Sequence, residues 1–585
     1  MPAGVYTYGN GELVKNLLHR HEMLKRRKMP WMTLYQALSQ YVMLRKQYFT
    51  TDQSEGPFLV NTVFDATALH AAHSMASSLL GQIWPNPFES VEFTPQIAQA
   101  EEAFSDAYDM MNTVNEVLPT NLAGAETGVM TAFHEALVDL VVYGVAALFV
   151  QETGELRTPI RVKAMDAKTM SFDENDAGII DTVYMERTYT ISQLIKKYGY
   201  ANVSEHSRQL YDSSGQMLDQ KVRVLHAIEP RMERNPLRLG NHDMPFCSIH
   251  IEIDQKHMLQ ESGFEEMPII VVRFWKNVGE VQGRSPAMDA LPDIRAVNKL
   301  VEIFERTGEM ALDPPKMISS EDVLGAGKAP WYPGAWIPIH ASGRLGSDRR
   351  PIEVIQTTEN PGWATQRISD LRNTIMQHFM DDVLSDLNNT SRQTLGEADI
   401  RNEMRQYKVG PMLIRLLIEM VSPFIDRAFN ILLQAGFFGV VEGSEQDFEL
   451  QLAGITPKYL SEDFIQSRAS GLKGYRLNFI SPAARLMKLE EAQGTERLTN
   501  YVAAVSQFKP EVLDNVNFDE SARAMQRLGG ASQKLLYSPE QVERMRRDRA
   551  QAQAQQQEIE QQMAGAAAFK DAAKGVKDLS GGTAA

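Results

Sequence analysis

The sequence predicts an α+β chain that is predominantly helical and elongated, and three observations carry that reading. Apolar residues recur every three or four positions over long stretches at both ends of the chain, while alternating, β-branched runs gather in one section, roughly residues 156–275. One stripe, Ile400, Met404, Tyr407, Leu413, Leu417, Val421 and Phe424, marks a helix from about Gly396 to Ala435. At 1.5 Å per residue it would extend roughly 60 Å, which suits a subunit that packs against copies of itself. The polar segment DDVLSDLNNTSRQT, Asp381–Thr394, separates that helix from another helical stretch before it.

The elements follow in order. An amphipathic helix is expected from Glu12 to about Lys28, with Lys25–Lys28 as a solvated basic end, and a second from Trp31. A third, Ala- and Ser-rich, is expected from Thr62 to Ile83, before the stop signal PNP. Further helix is expected around Ile97–Val117. The apolar run Ala136–Val150 contains Asp139 and is too short to cross a bilayer, so it reads as buried helix passing into strand. Cys247 lies in the alternating run FCSIHIEI as a small core residue.

Ser285 and Pro286 form a cap followed by a first-turn proline; Pro292 is expected to interrupt, so that the main helix restarts there. Its stripe, Ile294, Val297, Leu300, Val301 and Phe304, ends at LDPP. A compact, Gly- and Pro-punctuated stretch with Trp331, Tyr332 and Trp336 reads as a small β-rich module. Helix returns near Trp363 with Ile368, Leu371, Ile375, Phe379 and Val383 on one face. Bends are expected at Pro411 and Pro423 of the long helix. Helical texture closes the chain, with Ser538–Pro539 as another start and Arg544, Arg546, Arg547 and Arg549 on a solvated face.

Composition narrows the function. The 585 residues carry 75 acidic against 59 basic side chains, a net charge of −16, so the surface as a whole repels nucleic acid. One cysteine excludes an internal disulfide and fits a reducing compartment. GAGKAP at Gly325–Pro330 has Asp322 where a phosphate loop needs glycine and Ala329 where it needs a hydroxyl. His134 lacks the second histidine of a zinc protease, and His19 with His21 is a weak metal signal. No enzyme activity, cofactor or metal is expected.

The order helix, inserted module, returning helix, polar loop, long kinked helix resembles the portal, or head-tail connector, family of short-tailed bacteriophages. The resemblance rests on GRSPAMDALPDIRAVNKLVE from Gly283, the following ALDPP, FDENDAGIIDTVYMERTYTISQLIKKYG from Phe172 and NTVFDATALHAAHSMASSLLGQIWPNPFESVEF from Asn61, and covers about residues 20–480. It implies an elongated subunit of wing, stem, clip and crown in a ring of twelve. The regions would be 1–284 for the N-terminal helices and β-rich wing, 285–311 for a stem helix, 312–362 for the clip and 363–385 for the returning stem helix. A tunnel loop at 386–393, a long kinked wing helix at 394–436, the rest of the wing at 437–480, a crown at 481–570 and a tail at 571–585 complete the plan.

The resemblance also implies roles. Asp386, Asn388, Asn389, Ser391 and Arg392 would face DNA in the tunnel loop. Trp331, Tyr332, Trp336, Arg344, Arg349 and Arg350 would meet the terminase or the tail adaptor, although the aromatics read equally well as clip core. Ile294, Val297, Val301, Phe304, Ile368, Leu371, Ile375 and Phe379 would pack the stem. Implied partners are further copies of the chain, double-stranded DNA, the terminase large subunit, a tail adaptor, and the major capsid and scaffolding proteins, with no membrane. The implied place is the portal vertex of the virion, after assembly in the host cytoplasm. The alternatives are another virion component, from the core or tail, and a packaging enzyme.

Overall fold

The computed structural model describes residues 10–44, 63–84, 91–95, 104–155, 157–213, 216–232, 234, 240–320, 332–340, 352–354, 361–381, 410–443, 447–448, 459–460, 462–469, 473–479, 482–506, 508–509, 511, 515–529, 537 and 541–556. The chain divides into two units. One comprises Met1–Thr94, Met110–Leu460 and Tyr475–Leu486; the other comprises Pro95–Asp109, Ser461–Gly474 and Met487–Ala585.

In the first unit, α1 (Asn10–Tyr41) is one helix with Pro30 inside it, where the sequence suggested two. A proline inside a helix removes a backbone hydrogen bond and costs about 3 kcal/mol. Burial on both sides offsets this, through Val14, Leu17 and Leu24 before it and Tyr35 and Leu38 after it. The expected solvated end at Lys25–Lys28 is therefore mid-helix and docked on strands. Lys25 Nζ donates to Glu186 at 2.8 Å, Arg27 lies 3.3 Å from Asp173, and Arg20 lies 2.9 Å from Glu229. Lys28 is buried and its Nζ donates to three carbonyls, those of Ala167, Lys168 and Met170.

α2 (Thr67–Ile83) starts later than expected because Asp65 Oδ1 accepts from the backbone N of Thr67 at 3.0 Å and holds residues 63–66 out of the helix. Its alanines Ala68, Ala72 and Ala76 are buried, the small side chains letting neighbours approach closely. β1 (Val91–Pro95), α3 (Phe104–Leu122) and α4 (Val129–Tyr143) follow. α4 passes through Gly144 directly into β2 (Val145–Glu152), so the run Ala136–Val150 is helix, one glycine, strand.

Next come β3 (Ile160–Met165), β4 (Met170–Glu174), β5 (Ile180–Thr190), α5 (Ile191–Tyr198), α6 (Glu205–Asp212), β6 (Lys221–Pro230), β7 (Phe246–Glu252), β8 (His257–Phe264) and β9 (Ile269–Arg273). β4 to β8 form a five-stranded antiparallel meander, and β3 and β9 flank β2 in a second antiparallel sheet. The period of two sorts side chains between faces. Val183, Met185 and Ile228 pack towards Val145, Ala147 and Phe149 of the second sheet. Tyr184, Leu225, Ala227, Cys247 and Ile249 pack against Val14, Leu17 and Leu24 of α1. Burial pushes the Cys247 thiol up to about 11, consistent with an inert core residue.

α7 (Pro286–Leu312) is continuous through Pro292, contrary to the expected restart. Met288, Leu291 and Ile294 are buried on either side and hold it together. β10 (Lys316–Ser320), β11 (Trp336–His340) and β12 (Ile352–Val354) form a small sheet in the order β11-β10-β12, followed by α8 (Pro361–His378). Residues 410–434 are helical, with a π turn at Leu417–Val421 leading into α9 (Ser422–Gln434). The backbone N of Ser422 reaches back to the Leu417 carbonyl, one residue farther than in an α-helix. Pro423 has no N–H to offer, and the irregularity falls beside it, near the expected bend.

α9 seals an aromatic core. Phe424 stands edge-on to Trp84 and Phe133 at 5.8 and 5.0 Å, and Phe429 stacks on Phe93 and Phe438 at 5.4 and 5.1 Å. α10 (Glu462–Ala469) belongs to the second unit, whereas β13 (Tyr475–Phe479) pairs with β1 in the first. α11 (Pro482–Ser506) leads into the second unit, which also holds α12 (Phe518–Gly529) and the helical residues 541–556. There Arg546 makes two 2.7 Å hydrogen bonds to Asp519, and Arg547 bonds Glu543 at 3.0 Å, leaving an exposed, ion-paired surface.

Candidate functional site

The helix pair α7 and α8, with the strands between them in sequence, holds most of the described residues to which the sequence assigned a role. α7 begins where two glycines meet. A Cβ on Gly283 would lie 2.0 Å from the carbonyl oxygen of Gly144, and one on Gly144 would lie 2.6 Å from that of Gly283. Gly144 also has a left-handed φ of +75°, so only glycine suits it twice over. Ser285 completes the joint: its Oγ donates to Val142 O at 2.7 Å and accepts from the Met288 N–H at 3.1 Å, capping α7.

Along α7 the environment changes abruptly. Ile294, Val297 and Val301 are buried, and Ile368, Leu371, Ile375 and Phe379 face them from α8 and the turn after it. Phe304 does not join them; it is 37% exposed, with Ile303 at 50% and Leu312 at 90%. From Ile303 to Leu312 α7 is mostly exposed among the described residues, with only Gly308 and Met310 partly covered. The bare half carries Glu305, Arg306 and Glu309, and Glu302 just above it bonds Lys299 and Arg306 at 2.9 and 2.8 Å.

Polar contacts fix the covered half. Asn298 Oδ1 accepts from the backbone N–H groups of Phe64 and Asp65 at 2.7 and 3.2 Å, and Arg372 of α8 bonds Asp65 at 2.7 Å. Burial raises the Asp65 pKa, but hydrogen bonds from Thr67 and Arg372 outweigh it and hold the carboxyl below its usual range. His378 approaches Asp293 at 3.6 Å. Met380, beyond the end of α8, has a left-handed φ of +53°, a strained position for a side chain other than glycine.

In the insert, β10 pairs parallel with β11 and antiparallel with β12. Gly334 (φ +72°) fits against the Asp313 carboxylate, and its N–H donates to Asp313 O at 2.8 Å. Tyr332 and Trp336 are exposed, so neither is core within a single chain; Lys316 Nζ lies 5.6 Å from the Trp336 ring. Trp331, Arg344, Arg349 and Arg350 lie outside the described residues. So do Asp386, Asn388, Asn389, Ser391 and Arg392 of the polar loop, and residues 325–330.

Sequence reasoning missed the junction behind the helical residues 410–434; the earlier part of the expected long helix, 396–409, lies outside the described residues. Arg273, at the end of β9, is buried, donating from Nη1 to Glu174 at 2.6 Å and from Nη2 to Glu419 and Gly178 O at 3.0 and 2.9 Å. Its backbone N–H also donates to Glu419 at 3.0 Å, and Lys276 bonds Glu174 at 2.6 Å. Glu419 belongs to the π turn, so the irregular turn is clamped to the sheet. Burial alone would raise the Glu174 pKa; hydrogen bonds from Lys276 and Arg273 lower it. The available signal was Arg273 ending the apolar run PIIVVR, where a charge needs a partner.

The chain is α+β, built on a returning helix pair with a strand insert, and no metal-binding cluster lies among the described residues. The sequence matches the family described as "Bacteriophage head to tail connecting protein" over residues 14–536, and the chain belongs to that family. It is 24% identical to the "Probable portal protein" of Bordetella phage BPP-1 over 545 residues, 92% of this chain and 91% of that one. It is 26% identical to the "Portal protein" of Salmonella phage epsilon15, over 75% of this chain and 72% of that one. A chain in the structure titled "Virion of native gene transfer agent (GTA) particle" aligns over 69% of this chain and 95% of that one at 12% identity, with a TM-score of 0.29.

Proposed function

We propose that this chain is one subunit of the portal ring at a single capsid vertex, through which a terminase drives double-stranded DNA inward and through which it later leaves. The observation that carries the proposal is the bare half of α7. Ile303, Phe304 and Leu312 on that half stay exposed among the described residues, although the first half of the same helix is buried. Neighbouring copies around a closed ring would cover it through head-to-tail interfaces. Family membership supports the same reading.

The charge suits a conduit. Proteins that hold DNA do so by neutralising phosphates and releasing counterions. A chain of net charge −16, with Glu302, Glu305 and Glu309 along α7, offers a passing duplex little to bind. The exposed Tyr332 and Trp336 are the proposed docking residues of the clip, and Asp386 to Gln393 the proposed loop beside the DNA. The protein is structural and performs no catalysis in this reading.

Negative-stain imaging of the purified protein tests it: a ring with a hole wide enough for duplex DNA is expected. A monomer with DNA-dependent ATP hydrolysis would overturn the proposal. Replacing Ile303 and Phe304 together by Ser should leave the isolated subunit folded, since neither is buried in it, and should weaken ring assembly. Unchanged assembly would remove α7 from the interface.

A further inference from the structure

On the face of the meander turned away from α1, seven residues line one small cavity: Arg187 and Tyr189 of β5, Lys197 and Tyr198 of α5, Val224 and His226 of β6, and His250 of β7. Strand alternation places Arg187 and Tyr189 on one face, because Glu186, next to Arg187, points to α1 and bonds Lys25. No carboxylate lines the cavity.

Its charges are of one sign. Arg187 touches Met165 Sδ at 3.3 Å and stands 5.8 Å from the Phe149 ring; Lys197 bonds the Tyr189 hydroxyl at 3.0 Å and lies over the Tyr189 and Tyr198 rings. Neither cation has an ion-pair partner among the described residues. His226 and His250 stack at 3.9 Å, an arrangement suited to neutral rings; burial, together with the nearby cations, depresses both, His250 to about 3. His226 Nε2 pairs with Ser248 at 2.8 Å. The Tyr198 hydroxyl and His250 Nδ1 are sealed from solvent without a partner.

A buried polar atom without a hydrogen bond is destabilising, so two of them beside two cations that have no ion-pair partner among the described residues call for an occupant. Water would satisfy the hydroxyl and the imidazole and leave the cations unmatched. We infer that the cavity binds one phosphate-type oxyanion, with one oxygen in the enclosed end near Tyr198 and His250 and the others in the mouth between Arg187 and Lys197. The cavity as a whole admits about one water-sized group, so one oxygen of a free ion or a phosphomonoester can enter it and the rest of the ligand stays outside. Bidentate pairing from the Arg187 guanidinium and a point charge from Lys197 are the usual means of holding such a group.

Calorimetric titration of the full-length protein with sodium phosphate, against sodium chloride at matched ionic strength, tests the inference. Saturable binding of one phosphate per chain is expected, weakened tenfold or more by Arg187→Gln and by Lys197→Gln. Tyr198→Phe should weaken phosphate binding while leaving the melting temperature in chloride unchanged or higher. Lys197 is exposed, so Lys197→Gln keeps the comparison valid if another variant fails to fold. Titration with dAMP and with adenosine separates the sources. Tighter binding of dAMP than of phosphate identifies a phosphomonoester, and binding of phosphate alone identifies the free ion; both support the site. Absence of saturable binding, or a phosphate response equal in all variants, overturns it.

Discussion

Lys28→Met removes the amine that fixes α1 to the meander; burial lowers the pKa of that amine to about 7. The side chain is buried, and its Nζ serves the carbonyls of Ala167, Lys168 and Met170 around the turn between β3 and β4. Methionine fills similar volume and donates nothing. Each buried acceptor left unmade costs about 1–3 kcal/mol, and release of the buried amine returns part of that sum. A net loss of about 3 kcal/mol is expected, felt locally rather than across 585 residues that do not unfold in one step. Hydrogen exchange is therefore the assay. Amides of α1 and of residues 166–170 should exchange on the order of a hundredfold faster, at 1.4 kcal/mol per factor of ten. Lys28→Arg should not restore protection, because a planar guanidinium does not reproduce three convergent bonds from one nitrogen. Protection unchanged within threefold would refute the reasoning.

Gly283→Ala should prevent accumulation of folded protein, since its Cβ would stand 2.0 Å from a backbone oxygen; a soluble variant with wild-type melting would contradict the contact with Gly144. Glu419→Gln should cost about 2–4 kcal/mol by leaving Arg273 partly unpaired in the interior, visible as faster exchange across the π turn. Glu186 is held at about 2, first by the His21 hydrogen bond and then by Lys25, below its ordinary 4.5. Its contribution is thus complete above pH 4.5 and lost as pH falls from 4.5 towards 2, and Glu186→Gln should flatten the acid limb of a thermal stability profile over that window.

Much of the fold was legible because local chemistry and tertiary demand agree. Ser285–Pro286 supplies a cap followed by a first-turn proline, and FCSIHIEI alternates because Cys247, Ile249, Ile251 and Ile253 all meet α1. The errors come where distant packing overrides a local rule. Pro30 and Pro292 look like breaks, yet burial on both sides of each outweighs a missing backbone bond. Lys28 reads as a solvated basic residue because its three acceptors lie about 140 positions away. Phe304 continues the period of α7 and is nevertheless uncovered, since periodicity specifies which side of a helix is apolar but not what lies against it. The Arg273 junction joins strand, loop and helix separated by about 100 and 146 positions, and no local pattern announces such a meeting.

The π turn also changes how substitutions along the long helix should be counted. One surplus residue advances the helical phase by about 100°, so positions on opposite sides of Leu417–Val421 share a face only after that residue is subtracted. Deleting a residue there need not break the helix; it would restore a regular winding and swing everything before the turn about the axis. Length at this point therefore acts as a dial for orientation. A homologue one residue shorter could keep every α9 contact with the aromatic core while presenting a different side of the preceding helix to its surroundings.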